Sequence, residues 1–206
     1  MHDIHSFPFN HLFLLIGLEG IYFANIYNVS MLLGGDSIDK RLVTVVSYDK
    51  GAVWNTIPKV AGSELHLLGR IDGQGILSAE YAPGILLSSG NEGEFREIGA
   101  ESLNLYLSRD AGQSWSKIQN GSRVFEWGNY GGLFVSLESG LSSELSYSWK
   151  QGLQWHTCDL DSSIDATSII RTGNETSARF LALGSKNGSG AVVYIDLSGT
   201  LSGNCK

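Results

Sequence analysis

The chain has 206 residues, 42% of them hydrophobic and 17% charged, which places it with folded globular proteins and excludes a disordered polyelectrolyte. Its formal net charge of −7 comes from 14 Lys and Arg against 21 Asp and Glu, with no basic cluster, and this argues against a nucleic-acid surface. The 26 glycines against three prolines suit many tight turns.

In chain order, the first candidate element is the apolar run over residues 12–18, too short to span a bilayer. It lacks the positive flank of a signal peptide, with His2, Asp3 and His5 before it and Glu19 after it, so a buried strand is expected. Further strands are expected over residues 20–26, 42–46, 84–88, 103–107, 132–137, 168–171, 180–183 and 191–197. Runs such as Leu103-Asn104-Leu105-Tyr106-Leu107 have the two-residue period of half-buried strands, and helical periodicity is hard to find.

Three stretches share one plan, Ser-x-Asp-x-Gly-x-x-Trp after a strand. They read Ser47/Asp49/Gly51/Trp54, Ser108/Asp110/Gly112/Trp115 and Ser148/Lys150/Gly152/Trp155, the third without its aspartate. A short carboxylate accepts hydrogen bonds from the amides of its own turn, and glycine supplies a positive φ. The tryptophan then covers the turn. A calcium loop would need more oxygen ligands and a terminal glutamate, and a metal ligand or general acid does not survive replacement by Lys150. The boxes therefore read as turn locks. Their centres stand 61 and 40 residues apart, the scale of a four-stranded unit with variable insertions. The expectation is an all-β chain, residues 1–206 as one continuous array of about four β-propeller blades, with ends that look like the edges of a fragment.

Other constellations are weaker. His2 with His5, and His156 with Cys158, lack a third and fourth metal ligand nearby, so neither a metal nor a cofactor is expected. Gly188-Ser189-Gly190 opens a strand, where a dinucleotide fingerprint would open a helix. Asp159, Asp161 and Asp165 read as a small solvated loop. Two cysteines, Cys158 and Cys205, allow one bridge at most. Four Asn-x-Ser/Thr sites, at Asn28, Asn120, Asn174 and Asn187, point to a secretory compartment and to glycans in turn-like surroundings.

The box itself resembles the Asp-box, or bacterial neuraminidase repeat, of unrelated propellers. More specific words surround it: residues 17–25, residues 46–51, Glu64-Leu65-His66-Leu67, and residues 82–93. Trp127-Gly128-Asn129-Tyr130-Gly131-Gly132-Leu133 and residues 145–155 follow in the same order. Together they resemble the luminal domain of the sortilin family of vacuolar protein sorting ten receptors, from about residue 9 to residue 205. The resemblance implies the last part of a ten-bladed propeller that binds peptide or protein cargo in its tunnel and carries it from Golgi to endosome or vacuole. It also implies downstream cysteine-rich modules and a membrane helix that this chain lacks, with Cys205 as the first post-propeller cysteine and its partner downstream. His66 is the candidate sensor for release in an acidifying lumen. Asn129 and Tyr130 stand where the family has Asp and His, and residues 61–64 lack the family's cysteine pair.

Two readings compete. A sialidase-like glycoside hydrolase also carries Asp-boxes, but needs an arginine cluster with a tyrosine and an acid; the chain has seven arginines, none in the Arg-Ile-Pro context typical of that family. A soluble secreted binding fragment would differ from the receptor only in what lies beyond Lys206.

Overall fold

The computed structural model describes residues 9–27, 42–97 and 99–199, with backbone alone at residues 9 and 10. His2, His5, Asn28 and Cys205 lie outside them. The fold is all-β. Fourteen strands among the described residues form three antiparallel sheets.

The first sheet is a meander of β1 (Phe9–Leu14), β2 (Tyr22–Tyr27), β3 (Leu42–Ser47) and β4 (Asn55–Thr56). A second meander runs through β5 (Leu65–Gly69), β6 (Leu86–Glu92), β7 (Asn104–Ser108) and β8 (Ser116–Asn120). The third sheet has six strands: β9 (Arg123–Gly128), β10 (Leu133–Glu138), β11 (Leu141–Ser148), β12 (His156–Arg171), β13 (Arg179–Lys186) and β14 (Ser189–Asp196). Up-and-down sheets of four strands are the form a propeller blade takes. In the third sheet, β12 does double duty over 16 residues. Its first part pairs with β11 from Tyr147↔His156 to Glu144↔Asp159 and, after a register shift, at Ser142↔Ile164 and Leu141↔Asp165; the pairing with β13 begins there and runs from Asp165↔Ser185 to Arg171↔Phe180. It is thus the last strand of one four-stranded meander and the first of a three-stranded one.

The chain divides into two compact units. One is Met1–Gly69 with Gly75–Gln119, the other Arg70–Gln74 with Asn120–Lys206. In the first, Phe13, Phe23 and Val46 of one sheet pack with Leu65, Leu67, Leu86 and Tyr106 of the other. In the second, Leu133, Val135, Leu145, Ile164, Ile169 and Phe180 form the core.

Two expectations need correction. Only residues 12–14 of the N-terminal apolar run are strand, the end of β1, and they are not buried throughout: Phe13 is buried while Leu12 and Leu14 are 48% and 69% exposed, and Ile16, beyond the strand, is 61% exposed. Successive side chains of a strand point to opposite faces of its sheet, so Phe13 packs inside while Leu12 and Leu14 fall in the opposite, exposed row. Asp159, Asp161 and Asp165 do not form a loop; all three lie in β12. A strand with alternate residues facing solvent accommodates carboxylates at every second position, and a reading based on polarity mistakes that for a turn.

Candidate functional site

Each box begins where the third strand of a meander ends: Ser47 closes β3, Ser108 closes β7 and Ser148 closes β11. All three serines are buried. In the first box, Ser47 Oγ accepts the N–H of Gly51 at 2.8 Å and of Asp49 at 3.4 Å, and donates to Asp49 Oδ1 at 2.8 Å. The same Oδ1 accepts the Val53 N–H at 2.9 Å. The second box repeats this: Gly112 N–H to Ser108 Oγ at 2.7 Å, Ser108 Oγ to Asp110 Oδ1 at 2.9 Å, and Ser114 N–H to Asp110 Oδ1 at 2.8 Å. The third keeps only the serine half, with Gly152 N–H and Lys150 N–H on Ser148 Oγ at 2.9 and 3.3 Å. Lys150 Nζ instead donates to Gln154 Oε1 at 3.0 Å.

The turn needs two left-handed residues in a row: Lys50 and Gly51 (φ 62 and 90), Ala111 and Gly112 (φ 59 and 90), Gln151 and Gly152 (φ 50 and 76). At Gly112 a side chain is excluded a second time, because a Cβ there would collide with the ring of Phe23. The carboxylates are held by the turns they serve. Hydrogen bonds from the Val53 N–H and the Ser47 hydroxyl keep Asp49 below the ordinary carboxylate range. At Asp110 partial burial pulls upward, but the hydrogen bonds from Ser114 and Ser108 outweigh it and the net shift is down. Trp115 is buried and meets Phe23 edge to face at 6.0 Å, while Trp54 and Trp155 are half-buried. The boxes show hydrogen bonding spent within the turn.

His66 lies at the centre of a buried polar seam in the first unit. Its Nδ1 accepts the Thr44 N–H at 3.3 Å, which leaves the proton on Nε2 to donate to the Gly93 carbonyl at 3.2 Å. Thr44 Oγ1 donates to Asn25 Oδ1 at 2.6 Å and accepts the Leu67 N–H at 2.8 Å; Asn25 Nδ2 donates to the Leu67 carbonyl at 3.0 Å. The seam thereby ties β2 and β3 to β5. Burial lowers the His66 pKa most, and the Arg96 charge adds to this; the Gly93 carbonyl, Glu64 and the Glu94 backbone oppose it. A cavity of about 40 Å³ beside the ring is lined by Thr44, Lys59 and Glu64. At 2% exposure, His66 has no surface to offer a ligand directly.

A third cluster escaped the sequence. Arg70, buried in the second unit, donates to Glu126 Oε2 at 2.9 Å and to the Ile169 carbonyl at 3.0 Å, and pairs with Asp72 at 3.2 Å. Its guanidinium lies 5.8 Å from the Phe125 ring centroid, and Ser168 Oγ donates to Asp72 at 3.1 Å. One cation facing two carboxylates and a carbonyl is a self-satisfied structural hub. Arg70 and Asp72 stand two residues apart, but Glu126 and Ile169 are 56 and 99 residues from Arg70, so no local pattern marks the cluster.

Asn120, Asn174 and Asn187 are exposed. Asn187 and Gly188, both left-handed, make the tip of the β13–β14 hairpin. Asn120 ends β8, and the hydroxyl of its sequon serine, Ser122, is 3.0 Å from that of Ser139. Cys158 is disulfide-bonded. His156 stacks on Tyr147 at 5.4 Å, and no group of three or more His, Cys, Asp or Glu among the described residues is placed to hold a metal.

The family model Sortilin-Vps10, described as sortilin, neurotensin receptor 3, matches residues 11–169. The chain is 31% identical over 192 residues to Vacuolar protein sorting/targeting protein 10 of Uncinocarpus reesii, covering 89% of this chain. It is 30% identical over 199 residues to the protein of the same name in Arthroderma gypseum, covering 92% of this chain. In both cases it spans 13% of the relative's length. Among solved structures, YCF48 from Cyanidioschyzon merolae is similar with a TM-score of 0.43 and 11% identity, over 91% of this chain and 54% of that one. That likeness is too slight to bear on fold or activity.

Proposed function

Because the chain belongs to the Sortilin-Vps10 family, we propose that it forms part of the luminal cargo-binding propeller of a sorting receptor that carries protein cargo from Golgi to endosome or vacuole. The observation that carries this reading is the family match over residues 11–169. The repeated meanders and their locked turns support it, because they use their polar residues to stabilise blades and leave recognition to the assembled tunnel. In this reading the box serines, aspartates, glycines and tryptophans are structural, and the parent protein is anchored in the membrane beyond this segment. Among the described residues no helix is long and apolar enough to cross a membrane.

His66 supplies the response to pH. Folded His66 binds its proton less readily than an unfolded histidine, so acidification favours states in which the ring is released. Its contribution to stability is full above about pH 6.5 and declines as pH falls below that value. A second ring proton would turn Nδ1 from acceptor to donor against the Thr44 N–H, loosening the tie of β3 to β5. Glu64 and Lys59 line the cavity beside the ring, and Arg96 acts on it from the other packed segment.

Disruption of the reading frame in its own cells tests the proposal. Soluble vacuolar hydrolases should then appear outside the cell as unprocessed precursors, and restoring the intact frame should return them. Normal delivery after disruption overturns the reading, as would release of sialic acid from a fluorogenic sialoside by the purified protein.

A further inference from the structure

We infer that Asn174 carries an N-linked glycan whose first sugar is seated in a cleft built by the protein itself, against Trp149. The inference rests on the luminal placement proposed above and goes beyond it.

Asn174, Glu175 and Thr176 form a sequon in the loop between β12 and β13, and all three are exposed. The Asn174 Oδ1 accepts both the Thr176 hydroxyl at 2.7 Å and the Thr176 N–H at 3.3 Å, an Asx turn that spends the oxygen of the amide within the loop and leaves its nitrogen out of these bonds. The loop is held in place: the Asn129 N–H donates to the Ser177 carbonyl at 3.2 Å, and the Tyr130 N–H to the Glu175 carbonyl at 2.8 Å. Asn129 and Tyr130 are themselves left-handed, φ 47 and 54, a strained conformation that the two hydrogen bonds help to keep.

Asn174 opens onto a cleft of about 660 Å³, and Trp149, Thr172, Thr176, Ser177 and Arg179 line it with Asn174. One aromatic wall among hydroxyls and a guanidinium is the chemistry that receives a sugar: the ring packs on the apolar face of the pyranose, and the polar groups meet its hydroxyls and acetamido group. Arg179 is steadied by Asp196 at 3.1 Å. Asn187 is placed differently, at a hairpin tip, where a glycan would project into solvent.

The covalent step belongs to the host's transferase. The Asn174 amide nitrogen bonds to the anomeric carbon of a lipid-linked oligosaccharide diphosphate, the bond from that carbon to the diphosphate oxygen breaks, the lipid diphosphate leaves, and the nitrogen loses one proton.

The test uses the receptor purified from its own cells. Glycopeptide mass spectrometry reads occupancy, and an amidase that hydrolyses the asparagine–sugar bond, leaving aspartate, is then applied to native and denatured protein. The Asn174 glycan should be released at least ten times more slowly from native than from denatured protein, while the Asn187 glycan shows little difference. Trp149→Ala should remove the protection at Asn174 alone. Equal native release at both sites overturns the seat, and an empty Asn174 beside an occupied Asn187 overturns the modification. If all the sequons are empty, the luminal placement fails and takes this inference with it. The comparison of native and denatured wild-type protein decides even if Trp149→Ala does not fold.

Discussion

The first two boxes and the third solve one problem with different parts. Around Asp49 and Asp110, a serine hydroxyl and a carboxylate divide the amides of the turn between them. Around Lys150 the serine hydroxyl still accepts two amides, the glycine still takes a positive φ, and the carboxylate is gone. The turn survives. Serine and glycine are therefore the parts the turn cannot lack, and the aspartate is a second anchor.

Substitutions rank these parts. The largest effect is expected from Gly112→Ala, where a left-handed φ of 90 coincides with a collision against Phe23. A loss of about 2 to 5 kcal/mol is expected from strain and overpacking together. Gly51→Ala should cost about 1 to 2 kcal/mol, because a Cβ there meets Trp54 at an ordinary 3.7 Å. Denaturant titration of the two variants measures the gap, and equal losses would show that the Phe23 contact is unimportant.

Next comes Ser148→Ala, which removes the acceptor for Gly152 and Lys150 in the box with no carboxylate to take over. The cost of leaving buried donors unpaired is about 1 to 3 kcal/mol, and thermal melts should show at least as large a loss as for Ser108→Ala. A smaller loss at Ser148 would mean that the carboxylate makes a box dependent on its serine.

Asp110→Asn should be smaller, about 1 kcal/mol or less, since the group is largely solvated. Its signature is in the pH profile. The Asp110 pKa is lowered by folding, so the carboxylate's contribution is present above about pH 4 and is lost as pH falls through the folded value. Melts of wild type and variant should converge in acid, and a constant offset down to the lowest pH would refute the assignment. The smallest effect is a gain: Lys150→Asp should rebuild the missing half of the third box, worth about 0.5 to 1 kcal/mol.

Much of this was visible in the chain. The boxes announced themselves by spacing, and the strands around residues 42–46 and 103–107 by alternation. What escaped depends on partners far away. Strand β9 was missed because Arg123 and Glu126 break its apolar pattern, and Glu126 belongs there only once Arg70 is known to meet it. The length of β12 was hidden by its aspartates, exposed at 159, 161 and 165, on a strand whose pairing passes from β11 to β13 along its length. His66 was singled out for its titration range, but its burial and its bond to Thr44, 22 residues earlier, had no local signal. Periodicity does not report what packs over a sheet's faces: β5, also at a sheet edge, is buried at four of its five positions, whereas β1 leaves Leu12 and Leu14 exposed.

The central claim is that this segment belongs to a receptor that holds cargo in the secretory pathway and lets go in acid. The most direct measurement is binding of an immobilised vacuolar-hydrolase precursor by the detergent-solubilised parent protein, read from about pH 7 down to about pH 5, for wild type and His66→Gln. The account predicts capture near neutrality, release on acidification, and release shifted to lower pH or abolished in the variant. Capture that is absent near neutrality contradicts the sorting-receptor reading, and release that is identical in the two proteins contradicts the role given to His66.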